Sequence, residues 1–153
     1  MLKAMCGILV FSVLSSCGSE REPNSDYLVG NWLTECIHLK AFGTDFSGYF
    51  ISEIAFSKNN EYSWETEVFN DESCNNSATK LDPKTGTYIL GASLLTTEGN
   101  IAFELDLNSM SQVDLEIVFV DQGVLFLGES GNNDEFVRPS KLNFDIEYRK
   151  VDI

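Results

Sequence analysis

Side chains able to carry out acid–base or nucleophilic chemistry are few in this sequence. The single histidine, His38, lies between Ile37 and Leu39 with no partner placed near it, so a partly buried strand position is a better interpretation than a general base. Residues 128–131 (Gly-Glu-Ser-Gly) lack the spacing of a nucleophile elbow, and no phosphate-binding glycine loop, Cys-x-x-Cys pair or His-x-x-x-His pair is present. The sequence therefore predicts a protein that is not an enzyme, with no catalytic residue, metal site or cofactor.

Carboxylates are the abundant chemical group: 24 acidic residues stand against 10 basic ones, and the net charge is −14. The pairs Glu65/Glu67 and Asp114/Glu116 alternate with apolar residues, which indicates the solvated face of a strand. Residues 132–135 lack the regular ligand spacing of a calcium loop. So acidic a surface repels nucleic acid and excludes a nucleic-acid-binding protein. It serves solubility or attracts a cationic partner.

The first sixteen residues have the composition of a secretory signal peptide. Lys3 and the amino terminus supply positive charge, and residues 4–14 are predominantly apolar. A membrane-spanning helix needs roughly 20 apolar residues, and the polar run at 18–22 comes too early for that. We therefore expect residues 1–16 to be a cleaved signal peptide.

Leu14-Ser15-Ser16-Cys17 resembles the lipobox of bacterial lipoproteins. The resemblance implies cleavage before Cys17, which would carry a diacylglyceryl thioether and an N-linked acyl chain such as palmitate. Several acyl chains hold a protein stably on a membrane. In that family an Asp after the cysteine marks inner-membrane retention, so Gly18 implies the outer membrane, on its periplasmic or surface side. Residues 17–26 then form the lipidated cysteine and a flexible spacer.

Two cysteines remain beyond the anchor, Cys36 and Cys74. An even pair in an exported domain favours a disulfide over two free thiols. A bridge between them would close a loop of about 39 residues, worth on the order of 4 kcal/mol in the chain-entropy model. We predict this disulfide.

From residue 27 onward the apolar residues alternate with period two, and turn residues separate the runs. The predicted strands are 32–38, 49–57, 61–69, 87–95, 101–107, 113–120, 124–129 and 143–151, with a further short strand over 75–78. In the run 61–69 the residues predicted to point inward are Tyr62, Trp64, Thr66 and Val68. In the other runs the residues predicted to share one face are Trp32, Thr34, Cys36 and His38; Phe50, Ile54 and Phe56; Tyr88, Leu90, Ala92 and Leu94; Ile101, Phe103, Leu105 and Leu107; Val113, Leu115, Ile117 and Phe119; and Phe144, Ile146 and Tyr148.

Short connections favour an antiparallel meander, and closure of the sheet removes exposed edges. The predicted fold class is therefore all-β, with one antiparallel up-and-down barrel of 8–10 strands over residues 27–153.

Gly30-Asn31-Trp32 resembles the Gly-x-Trp signature of lipocalins, and the wider pattern from Leu28 to Cys36 is similar to small bacterial lipoproteins with lipocalin-like domains. The resemblance implies that Gly30 and Trp32 close one end of the barrel. It also implies that a basic residue near the C-terminal end packs on Trp32, either Arg138 or Arg149.

Three functions are compatible with these features. The barrel would bind a small hydrophobic ligand in an interior lined by aromatic side chains, unless these only fill the core. Alternatively, an acidic envelope protein would bind or inhibit a cationic protein, as small lipoprotein inhibitors of lysozyme do, or a structural surface lipoprotein would have no ligand. In each case we expect a monomer. The ligand-lining residues predicted for the first function are Tyr62, Trp64, Tyr88, Phe103 and Phe119.

Overall fold

The structure is a computed structural model that describes residues 25–40, 47–76, 79–129 and 137–152. The predicted signal peptide, Cys17, most of the spacer, and the loop at 132–135 lie outside these residues. Among the described residues, no helix is long and apolar enough to cross a membrane.

A single-turn 3-10 helix, Ser25–Tyr27, precedes ten strands in the described part of the chain. These strands are β1 (Gly30–Thr34), β2 (Ile37–Lys40), β3 (Ser47–Phe56), β4 (Glu61–Phe69), β5 (Thr79–Lys80), β6 (Lys84–Leu95), β7 (Ile101–Ser109), β8 (Val113–Asp121), β9 (Val124–Leu127) and β10 (Tyr148–Val151).

Eight of the strands close into an antiparallel up-and-down barrel. Around the barrel the order is β3, β1, β10, β9, β8, β7, β6 and β4, and the pairing of β4 with β3 closes the ring. Strand β2 continues the pairing of β1 along β3, and β5 continues that of β6 along β4. The predicted all-β barrel is confirmed.

The barrel interior has two different ends. We call the end that holds the 3-10 helix, the β3–β4 turn and the β8–β9 turn the apolar end, and the opposite end, where β7 turns into β8, the polar end. Large buried side chains fill the interior core, and several of them crowd the apolar end. The core members are Leu28, Trp32, Ile54, Phe56, Tyr62, Tyr88, Leu105, Leu107, Val118, Leu125, Leu127 and Tyr148.

A second cluster lies on the outside of the barrel, where residues 137–147 cross β7 to β9. Leu142 packs there with Ala102 and Ile117, and its strand bridge to Gly128 holds the crossing segment in place. Strand β8 is therefore buried on both faces.

This outer cover reverses the predicted faces of β8. Glu116 lies opposite Leu105 in the register, and Asp114 lies opposite Leu107, so both carboxylates share the inner face with core residues. The predicted solvated face at Asp114/Glu116 is wrong because the apolar residues of β8, Ile117 among them, pack under the crossing segment.

Three other sequence predictions fail where a strand is interrupted. The break at residues 35–36 puts His38 on the outer face, exposed and edge-on to Tyr49 at 4.9 Å, and not partly buried beside Trp32. A bulge between Leu90 and Ser93 leaves Ala92 exposed. The last strand begins at residue 148, because residues 144–146 form a turn. By contrast, β4 has the predicted bounds and faces.

Candidate functional site

Trp32 closes the apolar end of the barrel. Its ring is 1% exposed, and its Nε1 donates a hydrogen bond of 2.7 Å to the carbonyl oxygen of Leu28. Tyr27, from the 3-10 helix, packs edge-on to Phe103 with ring centroids 5.6 Å apart. The chain leading into β1 therefore covers this end with apolar rings.

The cation that packs on Trp32 is Lys150, whose Nζ lies 5.3 Å from the ring centroid. The two residues face each other across β1 and β10. A Cβ built on Gly30, where φ is +139°, would lie 2.6 Å from Cε of Lys150, so the lysine needs a glycine there.

Arg138 and Arg149, the predicted partners of Trp32, lie elsewhere. Arg149 is paired with Glu147 and with Glu35. The guanidinium of Arg138 contacts Asp106 and Glu104, outside the barrel. The predicted role of both arginines is wrong. The register places residue 150, and not 149, opposite Trp32, and Arg138 lies in the segment that crosses the outside of the barrel, where its partners are on β7 and β8.

The predicted disulfide is confirmed. Cys36 and Cys74 are bonded, with their Cα atoms 5.8 Å apart. The bridge joins the break between β1 and β2 to the loop that follows β4, at the polar end.

Four of the five predicted ligand-lining residues face the barrel interior. Tyr62 and Tyr88 are buried in the core, and Trp64 and Phe103 are partly buried against it. Phe119 instead stacks on Phe126 outside the barrel, with ring centroids 6.3 Å apart. Its assignment to the interior is wrong for the same reason as the faces of β8.

A hydrogen-bonded network around Ser52 lies inside the barrel. Nε1 of Trp64 donates to Oγ of Ser52 at 2.7 Å, and the Ser52 backbone N–H donates to Oγ1 of Thr34 at 2.9 Å. The hydroxyl of Tyr148 also reaches Ser52, at 3.5 Å, and burial raises the pKa of Tyr148 to about 12. These bonds fix the indole of Trp64 at the inner wall.

Next to Trp64 stands an ion pair. Nζ of Lys84 lies 2.9 Å from Oδ2 of Asp114 and 5.8 Å from the centroid of the Trp64 ring. A pocket of about 170 Å³ opens beside this pair. It is lined by Trp64, Thr66, Leu81, Asp82 and Lys84.

Glu116 and Tyr62 each hold a buried oxygen without a hydrogen-bond partner in the described part of the chain, Oε2 and the hydroxyl respectively. Burial, with a further contribution from Asp114, raises the pKa of Glu116 to about 7, although the Gly128 N–H, Lys84 and Arg138 act in the opposite direction. Burial and Asp114 also raise the pKa of Tyr62. Buried polar groups without partners are rare in folded proteins and cost stability.

We call Glu116, Asp114, Lys84, Tyr62 and Trp64 the inner polar cluster. Sequence reasoning found its aromatic members and missed its charged ones. The signal that could have found them is the apolar character of both faces of β8, at Leu115, Ile117 and Phe119 as well as Val118 and Val120. A strand apolar on both faces is covered on both, so its charged residues need not face water.

Other surface features offer less chemistry. A shallow depression of about 590 Å³ lies over the outer surface of β1, β3, β4 and β6, lined mainly by small and polar residues such as Asn31, Ala55 and Ser63. Among the described residues, no group of three or more His, Cys, Asp or Glu side chains is placed to hold a metal ion.

Comparison of the chain with known protein families, with curated proteins and with solved structures found no match.

Proposed function

We propose that this protein is a lipid-anchored lipoprotein of the cell envelope whose barrel binds a small, mainly hydrophobic ligand carrying one polar group. The observation that carries the proposal is the inner polar cluster, in which Glu116 and Tyr62 hold buried oxygens that find no hydrogen-bond partner in the described part of the chain. Binding sites are typically apolar cavities with a few converging polar groups, and a ligand would supply the missing partners.

The ligand would bind toward the polar end. At the apolar end the protein's own side chains, Trp32 and Leu28 among them, occupy the interior. At the polar end the partly buried ring of Trp64 borders the pocket of about 170 Å³. That volume suits the head or chain of a small molecule and is well below that of a typical drug-sized site.

Native mass spectrometry of the purified protein after incubation with an envelope extract tests this proposal. We expect the unmodified protein to carry a bound small molecule of defined mass. In Trp64→Ala, the fraction of protein that carries this molecule should be lower. The matched control is Phe119→Ala, which removes a ring of comparable size outside the barrel. If no small molecule is retained, or if both variants lose it equally, the interior is not the binding site.

The membrane anchor rests on the lipobox at residues 14–17. The first described residues, 25–27, lie at the apolar end, so a tether from Cys17 would leave the barrel there and turn the polar end away from the membrane. Cys17→Ser should move the protein from the membrane fraction to the soluble fraction. A variant that stays with the membrane would rule out anchoring through Cys17.

A second candidate function is binding of a cationic envelope protein, and one pairing on the outer surface favours it. Glu53 and Glu65 face each other directly across β3 and β4, and like charges in that position are destabilising. A cationic partner would relieve this repulsion. Capture of lysozyme by the immobilised protein, lost in Glu53→Gln/Glu65→Gln and in high salt, would support this function. Capture that the double variant leaves unchanged would contradict it.

A further inference from the structure

We infer that the ligand of the barrel carries an ammonium group, bound at the carboxylates of Glu116 and Asp114 with its apolar part against Trp64. The inference rests on the proposed function, since it assigns a chemical class to the ligand of the same site.

The charges of the inner polar cluster favour a cation. Glu116 and Asp114 are two residues apart on one strand, so their side chains point to the same face. Against these two carboxyl groups the cluster holds one cation, Lys84. Arg138 approaches from outside, where its guanidinium contacts Asp106 and Glu104 and donates a hydrogen bond to the main-chain oxygen of Glu116. Its charge lowers the pKa of the Glu116 carboxyl but is shared with these two outer carboxylates. An anionic ligand would add a third negative charge to the interior.

Lys84 shows that an ammonium group fits here. Its Nζ is held between a carboxylate, Asp114, and the face of an aromatic ring, Trp64, which is the combination that binds organic ammonium ions. The Lys84 side chain is 48% exposed, so it can swing outward and leave its place to a ligand. The adjoining pocket at Leu81 would then take the apolar part.

Hydrogen bonding points the same way. An ammonium group of a primary amine has three donors and no acceptor. Among the described residues, the buried side-chain groups that lack a hydrogen-bond partner are a carboxyl oxygen of Glu116, which accepts when ionised, and the hydroxyl of Tyr62, which can accept. Aliphatic alcohols could satisfy one of these groups, but they would leave the charge of an ionised Glu116 uncompensated.

The protonation of Glu116 adds a pH dependence. Asp114, Lys84, Arg138 and the Gly128 N–H act on it, and together with burial they leave its pKa raised to about 7. From β10, the hydroxyl of Tyr148 is the further titratable group coupled to Glu116, whose charge contributes to the raised pKa of that hydroxyl. A bound cation would stabilise the ionised form, so binding near neutral pH should release a proton. Affinity for an ammonium ligand should therefore increase several-fold between pH 6 and pH 8.

Three probes of one chain length separate the chemical classes: hexylammonium, hexanol and hexanoate. We would titrate each into the purified protein at pH 7.5 and follow tryptophan fluorescence and calorimetric heat. Hexylammonium should bind at least tenfold more tightly than hexanol, and hexanoate should bind most weakly. Equal affinity for hexylammonium and hexanol would overturn the ammonium assignment and leave the small-ligand function standing. Binding of none of the three would overturn the assignment and also count against the barrel as a ligand site.

Glu116→Gln locates the site, because it keeps the side-chain shape and removes the charge. Affinity for hexylammonium should fall at least tenfold, while affinity for hexanol should stay within twofold. Glu61→Gln is the matched control, since it makes the same change on the exposed outer face of β4 and should leave both affinities unchanged. Asp114→Asn is the second cluster variant, because it removes the other carboxylate charge. Circular dichroism verifies that each variant is folded. If both cluster variants bind hexylammonium as the unmodified protein does, the assigned site is wrong.

Discussion

The two ends of the barrel interior use buried polar groups in opposite ways. At the apolar end, the indole N–H of Trp32 bonds to Leu28 and the hydroxyl of Tyr88 bonds to the carbonyl oxygen of Ser57 at 3.0 Å. In the inner polar cluster, by contrast, Glu116 and Tyr62 keep buried oxygens that have no hydrogen-bond partner among residues 25–40, 47–76, 79–129 and 137–152. The apolar end therefore contributes stability, whereas the inner polar cluster lowers stability and holds groups that are free to bind a ligand.

The largest expected effect is at the apolar end. Trp32→Ala should lower the free energy of unfolding by about 3–5 kcal/mol, because it leaves a cavity in a closely packed core. Trp64→Ala, in the polar cluster, should cost roughly 1–2 kcal/mol, since its ring is only partly buried. Urea unfolding of both variants measures the difference. Equal losses of unfolding free energy in the two variants would contradict the proposal that the apolar end contributes more to stability than the polar cluster.

The disulfide should contribute nearly as much. Cys36→Ser/Cys74→Ser opens a loop of about 39 residues and should lower the free energy of unfolding by about 4 kcal/mol in the chain-entropy model. Urea unfolding under non-reducing conditions provides the measurement, and the same scan with reductant should bring the unmodified protein to the variant's value. Because the bridge lies at the polar end, it should stabilise that end without altering Trp32. A shift in the fluorescence of Trp32 in the folded variant would contradict this.

Glu116 should make stability depend on pH. Its pKa is about 7 in the folded protein against an ordinary value of 4.5, so the folded state holds the proton more tightly than the unfolded state. This contribution is complete below about pH 4.5 and is lost as pH rises through 7, with a loss of up to about 3 kcal/mol. Glu116→Gln removes this pH-dependent contribution. From pH 4.5 to 8, the unmodified protein should therefore lose stability relative to the variant. Glu61→Gln, on the exposed outer face of β4, should show no such trend.

The smallest effect expected on stability is that of Lys84→Met. The ion pair with Asp114 is half exposed on the lysine side, and such pairs contribute less than about 1 kcal/mol. The variant should nevertheless raise the pKa of Glu116 further, because Lys84 lowers it. Stability by urea unfolding and the titration midpoint by NMR together distinguish the two consequences. An unchanged midpoint would show that Lys84 does not act on Glu116.

Much of the fold follows from local alternation, and β4 shows why. Residues 61–69 alternate between apolar and polar side chains without interruption, so the strand bounds and both faces could be read directly. The closed barrel followed from short turns between such runs. Prediction failed where the period was broken, at the 35–36 break before His38 and at the bulge after Leu90, because a bulge shifts every later side chain to the other face.

The charged part of the inner polar cluster could not be predicted from β8 alone. Whether Glu116 or Ile117 faces inward depends on the segment at 137–147, which covers the outer face from far along the chain. Alternation of apolar and polar residues shows that the two faces of a strand differ, but it does not show which face packs against other parts of the protein. The prediction of Arg149 as the partner of Trp32 failed for a similar reason, since the register of β10 decides whether residue 149 or Lys150 lies opposite Trp32.

The most direct test of a cation-binding interior is a titration of the Glu116 side-chain carboxyl carbon by ¹³C NMR, without and with hexylammonium. We expect a midpoint near pH 7 in the free protein and a lower midpoint when hexylammonium is bound, because a neighbouring cation favours the ionised form. A midpoint near 4.5 in the free protein, or one that saturating hexylammonium leaves unchanged, would contradict it.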